Sequence, residues 1–114
     1  MFQTDGFSVL KGLTDAVMQR GELLASNLAN IETDNYVRQD IDFGRVLNDL
    51  KNNTTSDGNE SILARSRYRD YTKPATLESE LSQLYDNHLR YLLLVKSINH
   101  HFDHMRKALE VRAT

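Results

Sequence analysis

From Phe7 to Ile31 the apolar residues Phe7, Leu10, Val17, Leu24, Leu28 and Ile31 recur at steps of three, four and seven. That spacing lines them along one side of an α-helix and predicts an amphipathic helix over 7–31. Gly21 interrupts it at a cost of about 1 kcal/mol relative to alanine, so either another backbone approaches there or the glycine is merely tolerated. The second half of the chain is more regular. Leu77, Leu81, Leu84, His88, Tyr91, Val95, Ile98, Phe102, Met105 and Leu109 alternate spacings of four and three without a slip, a sustained heptad seam. It predicts a long helix over 76–112. Thr76, just after Pro74, is suited to the N-cap, Glu78 and Glu80 to the positive end of the helix dipole, and Arg106, Lys107 and Arg112 to its negative end.

Between these helices the period is lost. Asp40-Ile41-Asp42-Phe43 alternates over a short run, and Asn48 to Ser61 is rich in Asn, Ser, Thr, Asp and Gly with little to bury, which predicts a mobile loop. Ala64 to Pro74 interleaves Arg65, Arg67 and Arg69 with Tyr68 and Tyr71, and reads as a short extended segment or an irregular basic patch. The chain is thus one domain, with a helix over 7–31, a turn, loop and extended linker over 32–75, and a helix over 76–112. A helix over 77–111 is about 50 Å long and the first about 37 Å, whereas a compact domain of this size has a radius of gyration of about 13 Å. The fold class expected is mostly α: an elongated antiparallel helical hairpin or coiled coil, with a middle that is irregular or short-stranded. Tyr85, Leu89, Leu92, Leu93 and Leu94 lie beside or beyond the seam and leave apolar surface for neighbours. A homodimeric four-helix bundle would cover the same surface.

Composition narrows the function. With 14 basic and 16 acidic residues the chain has a formal charge of −2, which gives no general footprint for nucleic acid or an anionic membrane. It has no cysteine, so thiolate chemistry and disulfides are excluded. No run of about 18 apolar residues occurs and the N-terminus lacks a basic, then apolar, leader pattern, so neither membrane insertion nor a cleaved signal peptide is expected. Proteins are the expected partners.

Candidate chemistry is sparse. His100 and His104 are i,i+4 neighbours with His101 and Asp103 nearby, but the heptad turns them outward and supplies no further ligands, so a solvated helix face is expected rather than a metal site. His88 lies in the seam, where it reads as a polar residue that sets register. The carboxylate pairs Glu78/Glu80 and Asp40/Asp42 have no partnered nucleophile or phosphate cradle and read as caps and surface charge. No catalytic residue, cofactor or metal is expected. The arginine run reads as a protein-contact patch, since Arg and Tyr are favoured interface anchors; single-stranded nucleic acid is the other option.

One feature remains unexplained by helix physics. Asn27 and Asn30 stand in the last turns of the first helix, where their amides compete for the backbone. Leu24-Ala25-Ser26-Asn27-Leu28-Ala29-Asn30, followed by Thr33 and Tyr36, resembles the N-terminal signature of the flagellar basal-body rod proteins and their relatives among hook and hook-associated axial proteins. The likeness extends to Asp40-Ile41-Asp42-Phe43 and to Leu77, Glu80, Leu81, Asn87 and Tyr91, and covers about residues 7–43 and 76–111. The short length fits the most proximal rod subunits. Where the family usually carries Pro-Gly before the tyrosine, this chain has Asp34-Asn35; Asn is the best non-glycine residue for a left-handed turn position.

The resemblance implies a non-enzymatic structural subunit of the proximal rod, exported through the flagellar type III apparatus and assembled in the periplasm. It implies self-association within the rod and contacts with other proximal rod proteins, the ring-rod adaptor protein and the membrane-embedded basal-body ring. Leu24, Asn27, Leu28, Asn30, Ile31, Thr33, Tyr36, Leu84, Asn87, His88, Tyr91, Val95, Ile98, Phe102 and Met105 are then the assembly residues. Asn27 and Asn30 would hydrogen-bond across subunits or to the turn leading to Tyr36. The alternative from another class is a helical homodimeric adaptor, or an export-chaperone-like module whose Leu89, Leu92 and Leu93 grip a client helix.

Overall fold

The computed structural model describes residues 6–52 and 59–113. Its elements, in chain order, are α1 (Gly6–Ala29), β1 (Arg38–Ile41), α2 (Phe43–Lys51), α3 (Asn59–Ser66), β2 (Arg67–Asp70) and α4 (Leu77–Ala113). The two long helices pack antiparallel: Phe7 of α1 stacks on His101 of α4, with ring centroids 5.5 Å apart, Val17 meets Asn87, and Asn27 meets Glu80. The molecule measures 64 × 29 × 16 Å with a radius of gyration of 17.3 Å, the elongated helical hairpin expected. Both long helices begin and end within two residues of their expected bounds.

The middle is more ordered than its polar composition suggests. Asp42 is the N-cap of α2, accepting a hydrogen bond from the Arg45 N–H at 3.2 Å. Phe43, Val46, Leu47 and Leu50 then repeat at helical spacing, and Val46 and Leu50 are buried. α3 buries Ile62 and Leu63. Of the 48–61 segment read as a mobile loop, both ends are therefore helical, and residues 53–58 lie outside the described residues. β1 and β2 pair antiparallel with Arg38 opposite Asp70 and Ile41 opposite Arg67, so the arginine run is extended at Arg67 and Arg69, whereas Arg65 lies in the last turn of α3.

The largest buried hydrophobic cluster does not lie between the two long helices, although Val17 and Leu24 of α1 are buried as well. Ala16, Ile41, Val46, Leu50, Ile62 and Leu63 form it, joining α1, β1, α2 and α3, with Leu13, Leu23 and Phe43 packed around them. Gly12 of α1 belongs to this contact, because a Cβ there would fall 2.6 Å from a Leu50 methyl. Gly21 is different: a Cβ there would meet only the Asn87 side-chain amide at 3.4 Å, so of the two readings the sequence left open it is the tolerated glycine, not a close backbone approach, that fits.

α4 also presents a different face to α1 from the one its heptad suggests. The residues turned to α1 are centred on Glu80, Leu84, Asn87, Tyr91, Leu94, Ile98 and His101, with Glu80 and Asn87 buried. Within the expected seam, Leu84, Tyr91, Val95 and Ile98 are half-buried, whereas Leu77, Leu81, His88, Phe102, Met105 and Leu109 are exposed. The buried stripe is rotated by about one residue, because Glu80 and Asn87 find polar partners on the hairpin and on α1.

Candidate functional site

At the base of the hairpin the chain buries a connected set of polar side chains. Asn27 is fully buried and uses its whole hydrogen-bonding capacity. Its Nδ2 donates to the Gln39 carbonyl at 2.8 Å and to Glu80 Oε1 at 3.1 Å, while its Oδ1 accepts from the Gln39 N–H and the Tyr36 hydroxyl, each at 2.9 Å. The amide thus pairs with Gln39 as a neighbouring strand would, closing the free edge of β1. This answers the puzzle of an asparagine at the end of a helix. Of the two roles the sequence offered, contact within the chain to the turn and Tyr36 is the one realised here.

Asn30 works locally. Its Nδ2 donates to the Ser26 carbonyl at 2.8 Å, its N–H reaches the Ser26 and Asn27 carbonyls, and its Oδ1 accepts from Thr33 Oγ1 at 3.0 Å. These bonds satisfy carbonyls at the helix end and fold the chain into the turn. Asn35 then adopts φ 62°, the left-handed turn position for which asparagine is the best non-glycine residue. Replacing Asn35 by Gly is expected to be neutral or to stabilise slightly, and Asn35→Val to cost about 1–2 kcal/mol; thermal unfolding of the two variants checks this.

Around Asn27 lies a charged cluster. Arg38, fully buried, forks onto Glu80 through Nε at 3.0 Å and Nη2 at 3.2 Å, reaches Asp70 with Nη1 at 3.1 Å, and approaches Asp40 at 3.5 Å. Arg20 of α1 closes the set, donating to Asp40 at 2.7 Å and to Gln83 of α4 at 2.8 Å. Two guanidiniums therefore share three carboxylates, linking α1, both strands and α4. Glu80 and Asp40 are thus buried ion-pair partners, a correction to their reading as surface charge; a charge enters the interior when it is paired and hydrogen-bonded. Burial alone would lower the pKa of the Arg38 guanidinium, but Glu80, with Asp40 and Asp70, raises it above the ordinary arginine value. Arg38 stays charged at any working pH.

Asp70 is held below the usual carboxylate range, first by the Thr72 hydroxyl and N–H and then by Arg38. Because its folded-state pKa is depressed, its contribution to stability is complete above the ordinary carboxylate value of about 4 and disappears as pH falls through the lower, folded-state value. Denaturant midpoints are expected to drop on acidification from pH 4 to pH 2, with a shallower drop in Asp70→Asn.

Higher on the hairpin, Asn87 Nδ2 donates to the Val17 carbonyl at 2.9 Å, tying α4 to the α1 backbone. Asn87, and not His88, is the polar residue turned to α1; His88 is exposed beside Tyr91. Leu24 is buried, Leu28, Ile31 and Tyr36 are half-buried, and Thr33 is exposed. The structure therefore gathers Asn27, Tyr36 and Asn87 into the α1–α4 contact with Arg20, Arg38, Asp40, Asp70 and Glu80, leaves Met105 uncovered, and covers Phe102 only where the Phe7 ring meets it. Among the described residues no cluster of three or more His, Cys, Asp or Glu side chains is placed to hold a metal, and His101, read as outward-facing, is half-buried against Phe7.

Fold and site together define an elongated helical hairpin, latched at its base by a polar cluster and carrying an apolar stripe that α1 leaves open. No protein-family model matches the chain, and no curated protein matches it. No helix is long and apolar enough to cross a membrane among the described residues.

Proposed function

We propose that the chain is a non-enzymatic assembly subunit whose long helix completes its packing on neighbouring subunits. More particularly, it is a structural subunit of the proximal rod of the bacterial flagellar basal body, similar to flagellar basal-body rod protein B. The observation that carries the reading is the largely uncovered stripe of α4: Phe102, which Phe7 touches on one side, Met105 and Leu109 are 51%, 47% and 61% exposed at heptad spacing. Burying each such side chain on a neighbour is worth about 1.5–3 kcal/mol before ordering costs are deducted. The asparagine clasp and the left-handed Asn35 turn support the same reading, since they fall on the residues that carry the family resemblance.

On this reading, the neighbours are further copies of the chain, the other proximal rod proteins, the ring-rod adaptor protein and the membrane-embedded ring. The subunit is exported through the type III apparatus, assembled in the periplasm, and transmits torque through many modest helix contacts. Changing Phe102, Met105 and Leu109 together to Gln is expected to leave the isolated chain helical by circular dichroism while abolishing co-purification with the adaptor and other proximal rod proteins. A wild-type chain that ignores those proteins but forms a tight homodimer in sedimentation, lost in the triple variant, would instead identify a homodimeric adaptor.

A further inference from the structure

The clasp and the helix seam leave the arginine run of β2 without a role. In an antiparallel pair, successive residues direct their backbone N–H and C=O alternately toward and away from the partner strand. Gln39 of β1 spends both groups on Asn27, so the Gln39–Arg69 pair is one that exchanges no backbone bonds. The Asp42 N–H donates to the Ser66 carbonyl at 2.9 Å, which fixes the same phase from the other end. The N–H and C=O of Arg69 and the C=O of Arg67 accordingly point to the free edge of β2, while the Arg67 N–H lies at the end of α3. β1 has its outer edge closed by Asn27; β2 has no such closure among the described residues.

The side chains of those two residues share one face, two positions apart. Both are exposed, and neither is in an ion pair among the described residues, whereas Arg65 pairs with Asp49 at 3.7 Å. Exposed Lys73 adds a further positive charge nearby, while Asp70 is engaged by Arg38. In a chain of net charge −2 this edge is locally basic. Tyr68, 44% exposed between the arginines, and Tyr71, 74% exposed just beyond, add aromatic surface. A polar hollow of about 410 Å³ lies against Gln39, Ala64, Arg67, Tyr68 and Arg69.

We propose that the free edge of β2 is a docking site for an extended acidic segment of another protein, which adds to the sheet as a strand. Its recognition pattern follows from the pleat: acidic residues two apart face Arg67 and Arg69, and an apolar residue between them lies beside Tyr68. Charge also selects against the simplest rival occupant. Pairing β2 with β2 of a second copy would set arginines against arginines, and like charges placed opposite each other destabilise a sheet. This inference is independent of the rod assignment, since it uses a sheet edge and not the helix stripe.

The test is fluorescence anisotropy of the full chain with a labelled short peptide of alternating Glu and Val. Saturable binding is expected, weakened about tenfold or more, the equivalent of one good interaction lost, by Arg67→Gln/Arg69→Gln in a chain whose circular dichroism is unchanged. A peptide N-methylated on the residues that pair with β2, with its charge intact, is expected to bind no better than that variant binds the original peptide. Equal binding of the N-methylated peptide would overturn strand addition in favour of plain charge attraction. Failure of the alternating peptide to bind would leave the arginines as guards of the edge, and tighter binding of an oligothymidylate would make the site one for single-stranded nucleic acid; either result overturns the proposal.

Discussion

Replacing Arg38 by Met is expected to cost about 3–5 kcal/mol, the largest loss of any single substitution in the molecule. The cluster holds two guanidiniums against the carboxylates of Asp40, Asp70 and Glu80, and Arg38 contacts all three. Without it, among the described residues Glu80 is left fully buried with only Asn27 as a side-chain donor, and Asp40 keeps only Arg20 as an ion-pair partner. Glu80→Ala is expected to cost less than Arg38→Met, because it removes the excess negative charge while Arg38 retains two carboxylates. The double variant Arg38→Met/Glu80→Leu is expected to recover part of the loss, since apolar replacement of both partners spares an unpaired buried charge, though Asp70 still loses its cation. Urea denaturation of the three variants measures the order. Against a total stability of about 5–15 kcal/mol for an ordinary domain, Arg38→Met is expected to bring the chain close to unfolding.

Asn27→Leu is expected to cost about 2–4 kcal/mol, because several buried polar groups lose their partner at once. The Gln39 N–H and C=O and one bond to Glu80 depend on that amide, and the Tyr36 hydroxyl would keep only Ser26 Oγ, 3.3 Å away. Helix propensity pulls the other way: leucine is the better helix former by several tenths of a kcal/mol, far less than the loss. The helices should therefore persist while the hairpin loosens. Far-ultraviolet circular dichroism is expected to change little, and amide exchange at β1 to accelerate. Asn27→Asp keeps the acceptor for the Gln39 N–H and the Tyr36 hydroxyl but sets a carboxylate against Glu80, so it is expected to be no better tolerated at neutral pH.

The two long helices were legible because their apolar spacing persists over many turns and their caps are local: the Ser79 N–H donates to Thr76 Oγ1, as the sequence suggests. Asn27 stood out as a poor helix former in a last turn, and the structure gives its bond from the Tyr36 hydroxyl. Glu80 was hidden by a sufficient local explanation. An acidic residue in a first turn suits the helix dipole, while its actual partners, Asn27 and Arg38, lie 53 and 42 residues away. Asp40 was hidden likewise, since nothing in a four-residue alternating run reveals arginines from α1 and β1 converging on it. α2 did leave a signal, the Asp42 cap followed by Phe43, Val46, Leu47 and Leu50, but the polar run beyond it obscured the pattern. The heptad marked an apolar stripe on α4 without specifying which part α1 covers. Asn87, one position from the expected His88, settles that face by reaching the Val17 carbonyl.

The division of α4 into a latched half and an open half is the physical basis of the proposed assembly. Glu80, Gln83 and Asn87 fasten its first turns to the rest of the chain, and Phe7 reaches His101 and Phe102. Beyond that contact, every side chain described from Asp103 to Arg112 is exposed. A helix end with no tertiary cover opens readily, and covering it on a neighbour couples ordering to binding.

Hydrogen exchange on the chain, alone and mixed with proximal rod proteins and the ring-rod adaptor, tests this most directly. Strong protection is expected in α1 from Val17 to Ala29, in β1, and in α4 up to about Val95, whether or not those proteins are present. Fast exchange is expected from Phe102 onward in the isolated chain, with marked protection there on mixing. Protection of the whole of α4 in the isolated monomer, unchanged by those proteins, would contradict it.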